Sequence, residues 1–120
     1  MKSYIVLSGE VREALKKNKP VVAFESTIIT YGLPYPQNLK TAEEVESIAR
    51  KNGVVPATIS IIDGKIMVGA DEKLLKFIAD PKNKKRIDKV SRHNFSSVIA
   101  GGLHGVTTVA ATMMACDAAG

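Results

Sequence analysis

Apolar positions along the chain fall into helical and strand-like patterns in alternation. Leu39, Ala42, Val45, Ile48 and Ala49 share one face of a helix, with Glu43, Glu44 and Glu46 early, Arg50 and Lys51 late and Gly53 beyond, the charge order that the helix dipole favours. Ser8 is placed to cap an earlier helix that runs to about Lys17, with Glu10 in its first turn and Lys16 and Lys17 in its last. Asp71 is placed to cap a third, carrying Leu74, Leu75 and Ile78 and ending near Asp80-Pro81. Between these lie strand signals. Pro20 precedes the continuous apolar run Val21 to Phe24, which reads as a strand buried on both faces. Ala57 to Ile62 is rich in β-branched residues, Asp63-Gly64 predicts a two-residue turn, and Lys65 to Val68 predicts the returning strand of a hairpin.

The segment Ser26 to Asn38, with Thr27, Thr30, Gly32, Pro34 and Pro36, predicts a shaped loop. A basic loop follows the third helix, then a short apolar stretch from Phe95 to Ala100 and the glycines Gly101, Gly102 and Gly105. From Thr107 to Ala119 nearly every side chain is small or apolar, which predicts a helix closed by Gly120. A helix apolar on almost every face must be buried almost all round, and one parallel-type strand plus one hairpin cannot supply that cover. The expected fold is therefore α/β, a central sheet flanked by helices and including one β-hairpin. Residues 1–120 are expected to be the N-terminal portion of a single larger domain, or to depend on a partner chain. No internal repeat supplies the missing cover.

Composition narrows the picture. With 45% hydrophobic and 24% charged residues the chain can bury a core. The absence of any 18-residue apolar run predicts no membrane span, and Met1 to Val6 do not read as a signal peptide. The single Cys116, set among Met114, Ala115, Ala118 and Ala119, excludes an intrachain disulfide and predicts a packed position in a reducing, cytoplasmic setting. The net charge of +5 is concentrated in Lys82, Lys84, Lys85, Arg86, Lys89 and Arg92, followed by His93. Such a run can meet phosphate, although most of its members read as a solvated loop. No aromatic residue interleaves between Lys82 and Lys89, so nucleic acid is not expected as a partner.

Few residues stand out chemically. Glu25 directly follows the buried strand, where open α/β sheets place their sites, so it is a candidate proton donor or else a strand-end cap. His93 and His104 are the only histidines, and neither has a second ligand at metal-binding spacing; Asp117 is a lone acid. Gly101-Gly102-Leu103-His104-Gly105 could let backbone amides approach an anion or could reflect tight packing. Thr107 and Thr108 are placed to cap the helix that follows or to touch a ligand.

Ordered strings add a family resemblance. Phe24-Glu25-Ser26-Thr27-Ile28-Ile29, then Gly32-Leu33-Pro34-Tyr35-Pro36-Gln37-Asn38, resemble the opening signature of the pseudouridine-5'-phosphate glycosidase family. The resemblance continues through Gly53-Val54-Val55-Pro56-Ala57-Thr58-Ile59, Lys89-Val90-Ser91-Arg92 and Gly105-Val106-Thr107-Thr108-Val109-Ala110-Ala111-Thr112-Met113. His93-Asn94-Phe95 and Leu103-His104 depart from it.

The resemblance implies reversible cleavage of the carbon-carbon bond in pseudouridine 5'-phosphate, giving uracil and ribose 5-phosphate. It implies Glu25 as proton donor, Lys89 as a substrate-contacting lysine able to hold phosphate as a point charge, and Val109 as a substrate contact through its backbone amide. It also implies a manganese ion (Mn2+) and a lysine that forms an imine with the opened sugar, both with protein groups expected beyond Gly120. A homo-oligomer, trimeric in the family, or a complementing C-terminal chain is the expected partner. A truncated, non-catalytic phosphosugar-binding or assembly protein is the alternative.

Overall fold

The computed structural model describes residues 2–120. In chain order its elements are β1 (Ile5–Leu7), α1 (Gly9–Lys16), β2 (Val21–Phe24), a π-helical turn (Ile28–Gly32), α2 (Gln37–Lys51), β3 (Val55–Ile62), β4 (Lys65–Val68), α3 (Glu72–Ala79), a 3-10 turn (Pro81–Arg86), β5 (Ile87–Val90), α4 (Phe95–Ala100), β6 (His104–Thr107) and α5 (Val109–Ala119). The caps expected of Ser8, Asp71 and Thr108 form, their side-chain oxygens accepting from the amides of Val11, Leu74 and Ala111, whereas Thr107, also expected to cap, ends β6 and turns its hydroxyl to the Ile59 carbonyl. Asp63 and Gly64 both take positive φ, 51° and 75°, and close the β3-β4 hairpin with Ile62 opposite Lys65. A β-carbon at Gly64 would stand 2.5 Å from the Ile99 carbonyl oxygen, so the turn also needs glycine for contact with the end of α4.

β3 is the spine of the sheet. The strand order is β1-β4-β3-β6-β5, with β2 also on β3. β4 and β6 run antiparallel to β3 and β2 runs parallel to it. β2 lies opposite Val55 to Thr58, and β6 pairs with Ser60 and Ile61. The Ile59 carbonyl turns to the β2 and β6 edge, whereas that of Thr58 turns to the other edge and takes the Gly69 amide. β2 and β6 therefore share one edge of β3, run in opposite senses, and meet carboxyl end to carboxyl end at Ile59.

Alternation along β3 divides the core. Ala57, Ile59 and Ile61 pack with Val11 of α1, Phe95, Val98 and Ile99 of α4, and Ala111 and Ala115 of α5. On the opposite face Ile29, Ala42, Leu75, Ile78, Ile87 and Val106 join the π-helical turn, α2 and α3 to the sheet. The expected central sheet flanked by helices, with its hairpin, is thus present.

Four segments differ from expectation. The end of the basic run is β5, which completes a parallel pair with β6. Phe95–Ala100 is a short helix, and His104–Thr107 is a strand. α5 is apolar yet buries only one side: Ala111, Thr112 and Ala115 are covered, while Val109 and Met113 are 64% and 67% exposed and Cys116 is exposed. Small residues on the covered side let the helix lie close on the sheet, and no other described element reaches its outer side. Among the described residues no helix is long and apolar enough to cross a membrane.

Two buried polar groups on the α2 and α3 side of β3 carry stability predictions. Ser60 is fully buried and its hydroxyl has no partner among the described residues. An unsatisfied buried hydroxyl costs about 1–3 kcal/mol, so Ser60→Ala should raise stability by about 1 kcal/mol, read as a higher urea midpoint at constant m. A lower midpoint would show that the hydroxyl has a partner. Glu46 is 4% exposed and accepts from the Thr58 hydroxyl at 2.7 Å and from Arg50 at 3.3 Å, while Arg50 also forks onto Glu10. Burial pushes the Glu46 carboxyl above its ordinary range, against the pull of Thr58 and Arg50. A carboxyl raised in the folded state makes stability fall as pH rises through it. Glu46→Gln cannot ionise, so its urea midpoint should gain on the parent as pH rises above the ordinary carboxylate pKa of about 4. A pH-independent difference would contradict this.

Candidate active site

Where β2 and β6 meet, hydroxyls rather than apolar side chains close the gap. Ser26, fully buried, donates from Oγ to the Ile59 carbonyl at 2.5 Å and accepts the Thr107 amide at 2.8 Å. The Ser26 amide donates to the Thr107 carbonyl at 3.0 Å. Thr107, also fully buried, donates from Oγ1 to the same Ile59 carbonyl at 3.2 Å and lies 2.8 Å from the hydroxyl of Thr112 on α5. A hydroxyl carries one hydrogen, so with Thr107 giving to Ile59 it is Thr112 that donates to Thr107. These bonds tie two strand ends and one helix into a single rigid joint.

The three expected site residues leave the chain beside this joint. Glu25 is the residue before Ser26, and Val109 comes two after Thr107. Lys89 precedes Val90, whose carbonyl accepts the Thr108 amide at 3.0 Å. The carboxyl ends of β2, β5 and β6 are thereby gathered at one place, the arrangement in which open α/β sheets hold ligands. Glu25 is half-buried; its hydrogen bond, from the Ile28 amide to Oε1, is 3.4 Å long. Its side chain lines a cavity of about 200 Å³ between β2, the π-helical turn and α2. Lys89 is exposed, and its carbonyl accepts from Asn94 Nδ2 at 3.0 Å, which fixes the turn after β5. Val109 opens α5, where the first backbone amides lack intrahelical partners and the dipole favours an anion.

The other candidates are placed elsewhere or differently. Lys82, Lys84, Lys85 and Arg86 sit at the amino end of β5, away from the joint; Lys84 lies 5.2 Å from the centre of the Tyr31 ring and Arg86 5.7 Å from that of Phe77. His93 is exposed after β5, 2.5 Å from the Ser91 hydroxyl. His104 begins β6 at the far end from Thr107; its Nδ1 accepts the Asp63 amide at 3.1 Å and its ring stands edge-on to Phe77. Asp117 is exposed. Gly101 and Gly102 end α4, and their amides are spent on the Ser97 and Ile99 carbonyls, so they form no anion cradle. A larger cavity, about 560 Å³, is lined by Val6, Met67, Leu74, Phe77 and His104 and by none of Glu25, Lys89 and Val109.

The joint itself escaped the sequence reading. Ser26 lies two residues beyond the apolar run Val21 to Phe24 and Thr107 directly follows Val106, hydroxyls near strand ends whose meaning depends on β6 being a strand.

Comparison with known proteins gives this geometry its context. The model of the family described as indigoidine synthase A like protein matches residues 10–120. The chain belongs to this family. It is 50% identical over 120 residues to the pseudouridine-5'-phosphate glycosidase of Caldanaerobacter subterraneus subsp. tengcongensis and 48% identical to that of Staphylococcus aureus. The match covers all of this chain and 38% of each relative, so the chain spans a little over a third of their length. Among solved structures it resembles the prealnumycin C-glycosynthase AlnA in complex with ribulose 5-phosphate, with a TM-score of 0.80 and 37% identity over 96% of this chain and 36% of that one. The indigoidine synthase A-like protein of Thermotoga maritima gives a TM-score of 0.77 and 32% identity over 92% and 34%.

Among the described residues no three His, Cys, Asp or Glu side chains converge, so these residues by themselves do not fit a manganese ion.

The joint makes a clear prediction. Thr107→Val keeps the shape, removes the hydroxyl and strands that of Thr112, so stability should fall by about 1–3 kcal/mol while Thr107→Ser keeps most of it. Urea unfolding of the two variants checks this; a larger loss in Thr107→Ser than in Thr107→Val would mean that the methyl, not the hydroxyl, matters.

Proposed function

We propose that this chain supplies the proton-donating and phosphate-holding part of a site that reversibly cleaves pseudouridine 5'-phosphate to uracil and ribose 5-phosphate. The observation that carries the reading is the gathering of Glu25, Lys89 and the amino end of α5 around one joint. The curated relatives are named for this activity, and the AlnA structure holds a pentulose phosphate.

The chemistry asks for these groups. The base departs as carbon, a poor leaving group, so the uracil carbon must gain a proton as its bond to the sugar breaks, and the sugar carbon gains oxygen from water. Glu25, at a strand end and half out of water, is placed to deliver the proton and to take one back in the synthetic direction. The phosphate lies between the Lys89 ammonium and the free amides that open α5, where a point charge and a helix dipole both favour a dianion. A family manganese and an imine-forming lysine belong to the same reading, supplied by groups other than those described. A trimer or another oligomer, covering the outer side of α5, is part of it too.

Calorimetric titration with ribose 5-phosphate tests the reading. The chain should bind it, and Lys89→Ala should weaken binding by about tenfold, or about 1.4 kcal/mol. No binding by the parent chain would overturn the proposal. Binding without release of uracil from pseudouridine 5'-phosphate is the outcome expected of this part of the site alone; release of uracil by this chain by itself, with manganese present, would contradict the assignment of the remaining groups to other residues.

A further inference from the structure

We infer that the cavity of about 560 Å³ between α3 and the β1-β4 side of the sheet is a second ligand site, separate from the joint, for a small apolar ring that bears a carboxamide. It stands on residues of its own: Glu25, Lys89 and Val109 do not line it, and its His104 lies at the opposite end of β6 from Thr107. Val6 and Met67, opposite each other in the β1-β4 pair, form the floor with Ile62, and Leu74 and Phe77 of α3 form the wall. Its volume falls within the roughly 300–1,000 Å³ of small-molecule sites, which share its apolar lining and few placed polar groups.

The polar groups at one end select the ligand. The backbone N–H of Asp63 can only donate, so His104 Nδ1 accepts it at 3.1 Å and the hydrogen of the neutral ring lies on Nε2. Among the described residues Nε2 makes no hydrogen bond, since Oδ1 of Asp63 stands 3.9 Å away, too far for one. The imidazole is held by the Asp63 amide and by the edge-on ring of Phe77, 5.4 Å between centroids, so the donor is in place before anything binds. An unused donor thus sits beside an unused acceptor. A carboxamide answers both, its oxygen accepting from Nε2 and its N–H donating to Asp63, while the ring that carries it lies on Val6 and Met67. A carboxylate would meet the Asp63 charge, and an ammonium would offer Nε2 no acceptor. At the other end Ser8 Oγ and Asp71 Oδ1 are taken by the caps of α1 and α3, and Lys73 is exposed. An aliphatic side chain of a partner would fill the apolar part and leave His104 and Asp63 unmatched.

Amide chemical shifts of the whole chain provide the test, with benzamide as the probe and benzoate and benzylamine as comparisons. Benzamide should move Met67, Leu74, Phe77 and His104 with a Kd on the order of 1 mM, as befits so small a ligand, and leave Lys89 and Val109 unmoved. Benzoate and benzylamine should bind at least about fivefold more weakly. His104→Asn keeps an acceptor near the position of Nδ1 and removes the Nε2 donor, so it should weaken benzamide about tenfold. Asp63→Asn keeps a turn that Asn-Gly also forms and removes the charge, so benzoate should gain on benzamide. Equal binding of the three probes by the parent, shifts confined to other residues, no shift at about 10 mM benzamide, or undiminished binding in His104→Asn would each overturn the site.

Discussion

One carbonyl, that of Ile59, sets the relation between the parts of this molecule. Strand β3 is long enough to accept β2 along its first half and β6 further on, on the same edge, and the two arrive from opposite directions. Two strands meeting end to end would leave backbone groups unpaired in a dry interior, a cost proteins avoid. Here the Ser26 and Thr107 hydroxyls both donate to Ile59, and the backbones of Ser26 and Thr107 bond to each other. The requirement to satisfy polar atoms at a strand junction thereby fixes where β2 ends, where β6 ends and how α5 begins. Glu25, Lys89 and Val109 inherit their positions from it.

Local features were legible in the sequence because local physics determines them. The 3.6-residue period and charge order of α2, the caps at Ser8 and Asp71, and the Asp63-Gly64 turn depend on residues within a few positions of each other. β5 and β6 were not legible for the opposite reason. Each has only four residues, and β5, with the sequence Ile87-Asp88-Lys89-Val90, buries its two ends and exposes its middle. Its polar centre reads as a loop until β6 is known to lie beside it. β6 in turn contains a glycine, whose missing β-carbon is needed because one would stand 2.3 Å from Val90. The pair is specified by contact across the sheet, not by propensity along the chain.

The site was visible in pieces. Glu25 stood out through its position after an apolar strand, whereas Lys89 was distinguished from its basic neighbours, and Val109 was singled out, only through the family resemblance. The fold gives Lys89 a physical basis for that distinction: Lys82 to Arg86 belong to a turn at the other end of β5, beside Tyr31 and Phe77, while Lys89 lies next to the joint. The reading of α5 shows the limit of composition. Small residues do report close approach on one side, through Ala111 and Ala115, but they say nothing of the outer side, where Val109 and Met113 face solvent.

The placement of β3 also has a consequence for the order of assembly. The β3-β4 hairpin closes over two residues and can form at the pace of local structure, but Ser26 and Thr107 are 81 positions apart and Ile59 stands between them. Loop-closure entropy delays such distant pairings relative to local ones. The joint therefore closes late, after the spine and its hairpin exist, and Glu25, Lys89 and Val109 come together only with the last long-range contacts. A chain whose Ser26 has reached Thr107 is one that has already finished its sheet.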